Sequence, residues 1–228
     1  MPSGSPVALV LGAGSNIGGH VGRAFASKGY RIALAARSLR EEDSTPEQLH
    51  IRADFADPAC IPDIFVKVKS KLGLPSVVVY NAAAATFYNE HNPLGLPFTD
   101  FKNTLNVNLT SAFAAAQQAV LAFDQLPESA SRTFIYTGNY LVVHPLPNLM
   151  DLGIGKSATA HMIQCAAEGY KGKGYKFYYA DERTAEGAPA MMDINGPAHG
   201  KFYTELAEDK AQGPWYQTFA KGVGYKKF

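Results

Sequence analysis

Five apolar residues, Val7-Ala8-Leu9-Val10-Leu11, run directly into Gly12-Ala13-Gly14-Ser15-Asn16-Ile17-Gly18, and no other stretch of the chain restricts its fold as strongly. An unbroken apolar run of this length reads as a strand buried on both faces, and a glycine cluster lets the chain turn sharply at its end. Beyond the cluster Ile17, Val21 and Phe25 recur at four-residue spacing, with Ala24 on the same face, until Gly29 supplies a C-terminal stop. Strand, glycine turn and helix in this order open a βαβ unit. Its small residues let the backbone approach a pyrophosphate, and the first helix amides attract the anion. Gly12, Gly14, Ser15, Asn16, Ile17 and Gly18 are therefore predicted cofactor contacts.

The alternation continues down the chain. Residues 31–35, 49–53 and 76–80 read as strands two, three and four, and Ile61, Ile64, Phe65, Val68 and Leu72 mark a helix between the last two. Over residues 100–123 the apolar positions Phe101, Leu105, Leu109, Phe113, Ala116, Val120 and Phe123 keep a helical period without proline or glycine, which predicts the longest helix. Residues 133–136 read as strand five, 154–170 as a helix and 176–180 as strand six. Strands that alternate with helices need crossover connections, so the expected fold is α/β: a Rossmann-type doubly wound parallel sheet of order 3-2-1-4-5-6. A chain of 228 residues suits one such domain, with 181–228 as a substrate loop and C-terminal extension. That extension holds a loop rich in Gly, Pro and Met (186–200), a short helix (198–210) and an aromatic tail with Trp215, Tyr216, Phe219, Tyr225 and Phe228. A final strand is not evident there.

Charge and composition exclude several partners. A net charge of +1 with both signs scattered offers no basic patch for nucleic acid or an anionic membrane. Cys60 and Cys165 stand apart, and His144, His161 and His199 lack ligand spacing, so neither a disulfide nor a metal is expected. No apolar stretch approaches the ~20 residues that cross a bilayer, and the chain opens without a signal pattern, which predicts a cytoplasmic protein. At the end of strand two, where free ribose hydroxyls would call for an acid, the chain has Ala35-Ala36-Arg37. A guanidinium forks a 2′-phosphate through two parallel hydrogen bonds, so Arg37 favours NADP(H) over NAD(H). Asp54-Phe55, after strand three, is placed to meet the adenine.

Taken together these segments resemble the short-chain dehydrogenase/reductase family over about 200 residues, from Val7 to the helix near Lys210. The family's Thr-Gly-x-x-x-Gly-x-Gly corresponds to Leu11–Gly18, with Leu11 and Asn16 as departures. Its Asn-Asn-Ala-Gly reads here as Tyr80-Asn81-Ala82-Ala83, which implies that Asn81, Ala82 and Ala83 lie beside the cofactor. Asn108, in Asn106-Val107-Asn108-Leu109, takes the place of the helix asparagine that supports a water and the active-site lysine. The family's Tyr-x-x-x-Lys reads Leu152-Gly153-Ile154-Gly155-Lys156. The resemblance makes Lys156 the residue that holds the nicotinamide ribose, while leucine has no proton to give. The place of the carbonyl-orienting serine falls on or beside Asn139, and the Pro-Gly usual after strand six is replaced by Asp181-Glu182-Arg183. A homodimer or homotetramer built on the two long helices is also implied.

Three functions remain open on this pattern. The first is an NADP(H)-dependent reductase of a small carbonyl or enone whose proton comes from a group other than residue 152, with Tyr140, His144, Tyr178, Tyr179 and His199 as candidates. The second is a non-redox cyclase, isomerase or lyase that orients a polar substrate with Asn139, Asn108 and Lys156. The third is a catalytically silent NADP(H)-binding sensor or scaffold. The predicted catalytic set is Asn108, Asn139, Tyr140 and Lys156. Met191-Met192 with the aromatic tail form either a lid over an apolar substrate or a core or subunit contact.

Overall fold

Alternation within the first apolar run divides the molecule into two layers. In the computed structural model, which describes residues 4–228, every residue of β1 (Val7–Leu11) is buried. Val7, Leu9 and Leu11 enter one core with α2 (Cys60–Lys71), α4 (Ser111–Phe123) and α5 (Met150–Gly169). Ala8 and Val10 enter the other, against α1 (Ile17–Ser27) and α6 (Gly196–Glu208). Successive side chains of a strand face opposite ways, so an apolar run without polar positions demands a helix layer on each side of the sheet.

The remaining strands are β2 (Arg31–Ala36), β3 (Gln48–Arg52), β4 (Pro75–Tyr80), β5 (Thr133–Thr137), β6 (Lys176–Arg183), β7 (Tyr216–Ala220) and β8 (Gly224–Tyr225). Their order is β3-β2-β1-β4-β5-β6-β7-β8, with every pairing parallel except that of β7 with β8. The expected order 3-2-1-4-5-6 holds, and two strands extend it. β7 lies in the stretch read as a tail. Its sequence, Tyr-Gln-Thr-Phe-Ala, has no apolar run, yet Gln217 and Thr218 are buried beside β6. β6 itself continues three residues past the expected end, through Asp181, Glu182 and Arg183, all buried. Lys176, at its start, is also buried. Its ammonium donates to the carbonyls of Leu206, Ala207 and Asp209 and so closes the C-terminal end of α6.

The long helix predicted over 100–123 forms as α3 (Phe98–Leu105) and α4, joined by a π-helical segment at Asn106–Thr110. A π turn displaces carbonyls from the α-helical ladder, and these must find other donors. Here tyrosines at matched register positions on three neighbouring strands line up beneath it: Tyr80, Tyr136 and Tyr179. Their rings stack at 5.7 and 5.6 Å. The Tyr80 hydroxyl donates to Val107 O at 2.5 Å, and Tyr136 donates to Asn108 O at 2.9 Å. Thr159 of α5 adds a second bond to Asn108 O at 2.8 Å.

α5 begins at Met150, four residues before the predicted start. Gly153 and Gly155 in its first turns are poor helix formers and hide that end from a propensity reading. Gly155 has a packing reason: a Cβ there would lie 2.7 Å from Asn108 Cβ. Gly155→Ala therefore has to push α5 off the π segment. Urea denaturation should show a loss of about 1–3 kcal/mol with unchanged secondary structure by circular dichroism. Stability within about 0.5 kcal/mol of the parent would mean the two helices are free to separate.

Candidate active site and dinucleotide cleft

The loops at the carboxyl ends of β1, β2, β4, β5 and β6 surround one cleft in two lobes of about 960 and 590 Å³ that share Gly14, Asn81 and Ala83. Its centre is the glycine turn. Gly12 has φ +98°, and a Cβ on it would fall on the backbone of Ala82. A Cβ on Gly18 would lie 2.5 Å from Gly12 O. Asn81 locks this arrangement, because its Nδ2 donates to Gly12 O at 2.8 Å while the Asn81 and Ala82 amides both donate to Leu11 O. Nothing lies within 4 Å of the place a Cβ on Gly14 would take, so the turn opens on free space at the start of α1. A diphosphate fits there by the chemistry of the donors, which are backbone N–H groups at a helix N-terminus.

Ser15 and Ile17 line the larger lobe. Asn16 also lines it, but its side chain is already occupied. Nδ2 donates to Ile194 O and Oδ1 accepts from Gly196 N, both at 3.0 Å, so Asn16 ties the glycine turn to the start of α6 and the segment before it. In the smaller lobe the exposed Arg37 follows Ala36, with Asp54 and Phe55 nearby. Asp54 Oδ1 caps its own turn by accepting from Ala56 N at 3.0 Å. The Phe55 ring is buried, packed at 5.9 Å from Tyr80, so it is core first and cleft wall second.

The larger lobe contains the polar groups suited to chemistry. Lys156 is buried; its ammonium donates to Thr137 O at 2.7 Å and stands 4.5 Å from the centre of the Tyr136 ring. Burial pushes Lys156 down to about 7, with the Asp181 carboxylate opposing. Asn139 lines the lobe with its Oδ1 accepting from Leu141 N at 3.1 Å, which leaves its NH₂ group without a protein partner among the described residues. Tyr140 lies at 4.3 Å under the Arg183 guanidinium and at 5.2 Å from the His144 ring. Leu152 takes the wall one helical turn before Lys156.

Of the predicted catalytic set, Asn139, Tyr140 and Lys156 come together, and Asn108 does not join them at the surface of the lobe. It is fully buried, with Nδ2 donating to Ala84 O and Thr104 O and Oδ1 accepting from Ala84 N. Its carbonyl is held by Tyr136 and Thr159. Asn108 therefore positions the loop after β4 and the start of α5. Two candidate donors also lie away from the lobe. Tyr178 faces the opposite core and donates to Ala211 O, and the Tyr179 hydroxyl accepts from Asn139 N and donates to Asn139 O. The reason is register: in β6, residues next to one another must face opposite cores. His199 lines the lobe, while its Nδ1 is 2.9 Å from Asn195 O and 3.4 Å from Glu182 Oε2.

Sequence reasoning missed Asp181 and Glu182, which line the same lobe. Both carboxyls are raised by burial, and Asp181 is held by Arg183 at 2.6 Å and by the Tyr216 hydroxyl at 2.9 Å. Three consecutive charges ordinarily read as a solvated turn, and only their position in place of an expected Pro-Gly signalled otherwise. Pro189, Ala190, Met191, Met192 and Ile194 form the apolar roof, with Met192 97% exposed. The C-terminal tail braces this segment: Phe228 packs on Gly187, and Lys226 Nζ donates to Ala185 O at 2.6 Å.

Residues 12–178 match the family model described as enoyl-(acyl carrier protein) reductase. The chain is 45% identical to the short chain dehydrogenase/reductase dmxR12 of Cryptosporiopsis sp. (strain 8999), over 98% of this chain and 95% of that protein. Among solved structures, a metagenomic short-chain oxidoreductase in complex with NADP superposes with a TM-score of 0.81 at 18% identity, covering 96% of this chain and 98% of the other. A 3-oxoacyl-[acyl-carrier protein] reductase from Brucella melitensis superposes with a TM-score of 0.77 at 20% identity, covering 90% of each chain.

The buried His199 sets an acid limit on stability. Desolvation lowers it to about 4, whereas an unfolded histidine takes its proton near 6.5. The unfolded chain thus binds the extra proton throughout that window, and stability falls as pH drops from about 6.5 towards 4. Urea midpoints across this range should decline more steeply for the parent than for His199→Gln. Parallel declines would show that another group carries the acid sensitivity.

Proposed function

The chain belongs to the short-chain dehydrogenase/reductase family and is an oxidoreductase, and on that premise we propose that it is an NADP(H)-dependent reductase of a small carbonyl or enone compound. The observation that carries this reading is the two-lobed cleft that meets at the glycine turn, with Arg37 in one lobe and Lys156 in the other. When bound, the reduced nicotinamide supplies a hydride. Everything else falls to the chain's own groups. The amides that follow Gly12 hold the diphosphate, Arg37 grips the 2′-phosphate in a bidentate fork, and Lys156 holds the nicotinamide ribose. The free NH₂ of Asn139 polarises the substrate carbonyl, and Leu141, Leu149, Leu152 and the Met191-Met192 roof exclude water around it. Support for the phosphorylated cofactor also comes from the NADP complex of the metagenomic neighbour, and for a carbonyl substrate from the 3-oxoacyl reductase.

The proton comes from a group other than residue 152. A homodimer or homotetramer would form through Phe113, Leu121 and Ile154, apolar and exposed on α4 and α5. We place the protein in the cytoplasm; no helix among the described residues is long and apolar enough to cross a membrane.

Arg37→Ala should weaken NADPH by about 10- to 100-fold in fluorescence titrations and NADH by less than about 3-fold. Equal losses for the two cofactors would remove Arg37 from the phosphate site. NADPH consumption is then followed with a panel of aldehydes, ketones and enones; the reading expects turnover of at least one, and none across the panel overturns it.

A further inference from the structure

Leu152 leaves the larger lobe without a phenol at the place where the family resemblance puts one; the phenols packed behind that lobe are already spent, and of the hydroxyls that line it those of Ser15 and Tyr140 belong to residues open to solvent. Tyr136 donates to Asn108 O, Tyr179 to Asn139 O, Tyr203 to Thr137 Oγ1, and Tyr216 to Asp181 Oδ2. Lys156 is different. Its ammonium has three protons, of which one is given to Thr137 O, so two remain without a protein acceptor among the described residues. Thr137 O and the Tyr136 ring fix the nitrogen, and its side chain is 97% shielded although it lines the lobe.

From this geometry we propose that Lys156 is itself the proton donor of the reaction, with Asp181, which lines the same lobe, as its positioning residue. The proposal rests on the reductase reading above. As the carbonyl carbon gains a hydride from the reduced dinucleotide, one Nζ–H bond of Lys156 breaks and the O–H bond of the alcohol forms on the former carbonyl oxygen. The lysine is left as a neutral amine, which water re-protonates when the product leaves. The second free N–H continues to serve the ribose. Asp181 suits its part because its Oδ2 is anchored by Arg183 and Tyr216 while no hydrogen bond engages its Oδ1 among the described residues.

The titratable groups that share the lobe with Lys156 or touch it are Tyr136, Tyr140, His144, Asp181, Glu182 and His199. Of these, Asp181 is the one whose charge acts on the ammonium. A lysine lowered to about 7 by burial is matched to proton transfer near neutral pH, and the charged form is the competent one.

Two measurements on the intact protein test the proposal. NMR titration of lysine-labelled protein without cofactor should show a lysine that ionises near 7, apart from the buried Lys176 near 8, absent in Lys156→Met and shifted down by about one unit in Asp181→Asn. A Lys156 that titrates at the ordinary lysine value overturns the proposal. In assays with NADPH and the carbonyl compound turned over in the panel, kcat should fall as pH rises through the same value, and this limb should move to lower pH in Asp181→Asn. Lys156→Arg keeps charge and donors but cannot release a proton, so kcat should drop by at least about 100-fold while NADPH binding holds within about 10-fold. Full turnover by Lys156→Arg, or loss of turnover in Tyr140→Phe with Lys156→Arg active, overturns the proposal alone. Absence of turnover by the parent overturns the reductase reading and the proposal with it.

Discussion

The stack of Tyr80, Tyr136 and Tyr179 against the π segment at 106–110 is the contact on which the geometry of the larger lobe depends. A single extra residue in a helical turn leaves carbonyls turned away from their α-helical donors, and a buried carbonyl without a partner is costly. Two tyrosine hydroxyls answer that need at Val107 and Asn108, and the third holds Asn139. One ladder of rings in the sheet thus fixes the helix kink, the loop after β5 and the face of α5 together. Gly155 completes the arrangement because only the absence of a side chain lets α5 approach Asn108 so closely.

Around this ladder the protein buries more charge than its scaffold requires. Lys156, Asp181, Glu182, Arg183 and His199 are all at most 7% exposed, and desolvation works against each of their charged forms. The Asp181–Arg183–Tyr216 cluster offsets part of this through close hydrogen bonds, and β7 provides one of its members. A late strand with no obvious apolar signature therefore serves the site directly. Such buried pairs are weak contributors to net stability, so their presence at the mouth of the sheet fits a role in chemistry better than one in folding.

The glycine turn at the centre of the cleft was legible from the chain because the residues that build it are neighbours. Gly12, Gly14 and Gly18 follow a strand and open a helix within a dozen residues, and Arg37 follows the next strand. The larger lobe was legible only in part. Lys156 and Asn139 follow from motif positions and Tyr140 from its loop, whereas Asp181 and Glu182 look like surface charges until β6 is seen to carry them inward. Asn108 was identified by motif, yet its contacts with Ala84 and Thr104 make it a support for the lobe instead of part of its lining. Tyr178 and Tyr179 could not be assigned to sides of the sheet without the register of β6.

By itself the sequence determined the α/β class, the order of the first six strands and the glycine turn, because apolar periodicity and glycine placement act over a few neighbouring residues. The tertiary structure alone decided the pairing of β7 with β8, the π kink and the burial of the charges at the end of β6. It also decided the tie from Asn16 to Gly196, which joins groups 180 residues apart. Those features depend on contacts between distant segments, and no local propensity records which partner will satisfy a given carbonyl or charge.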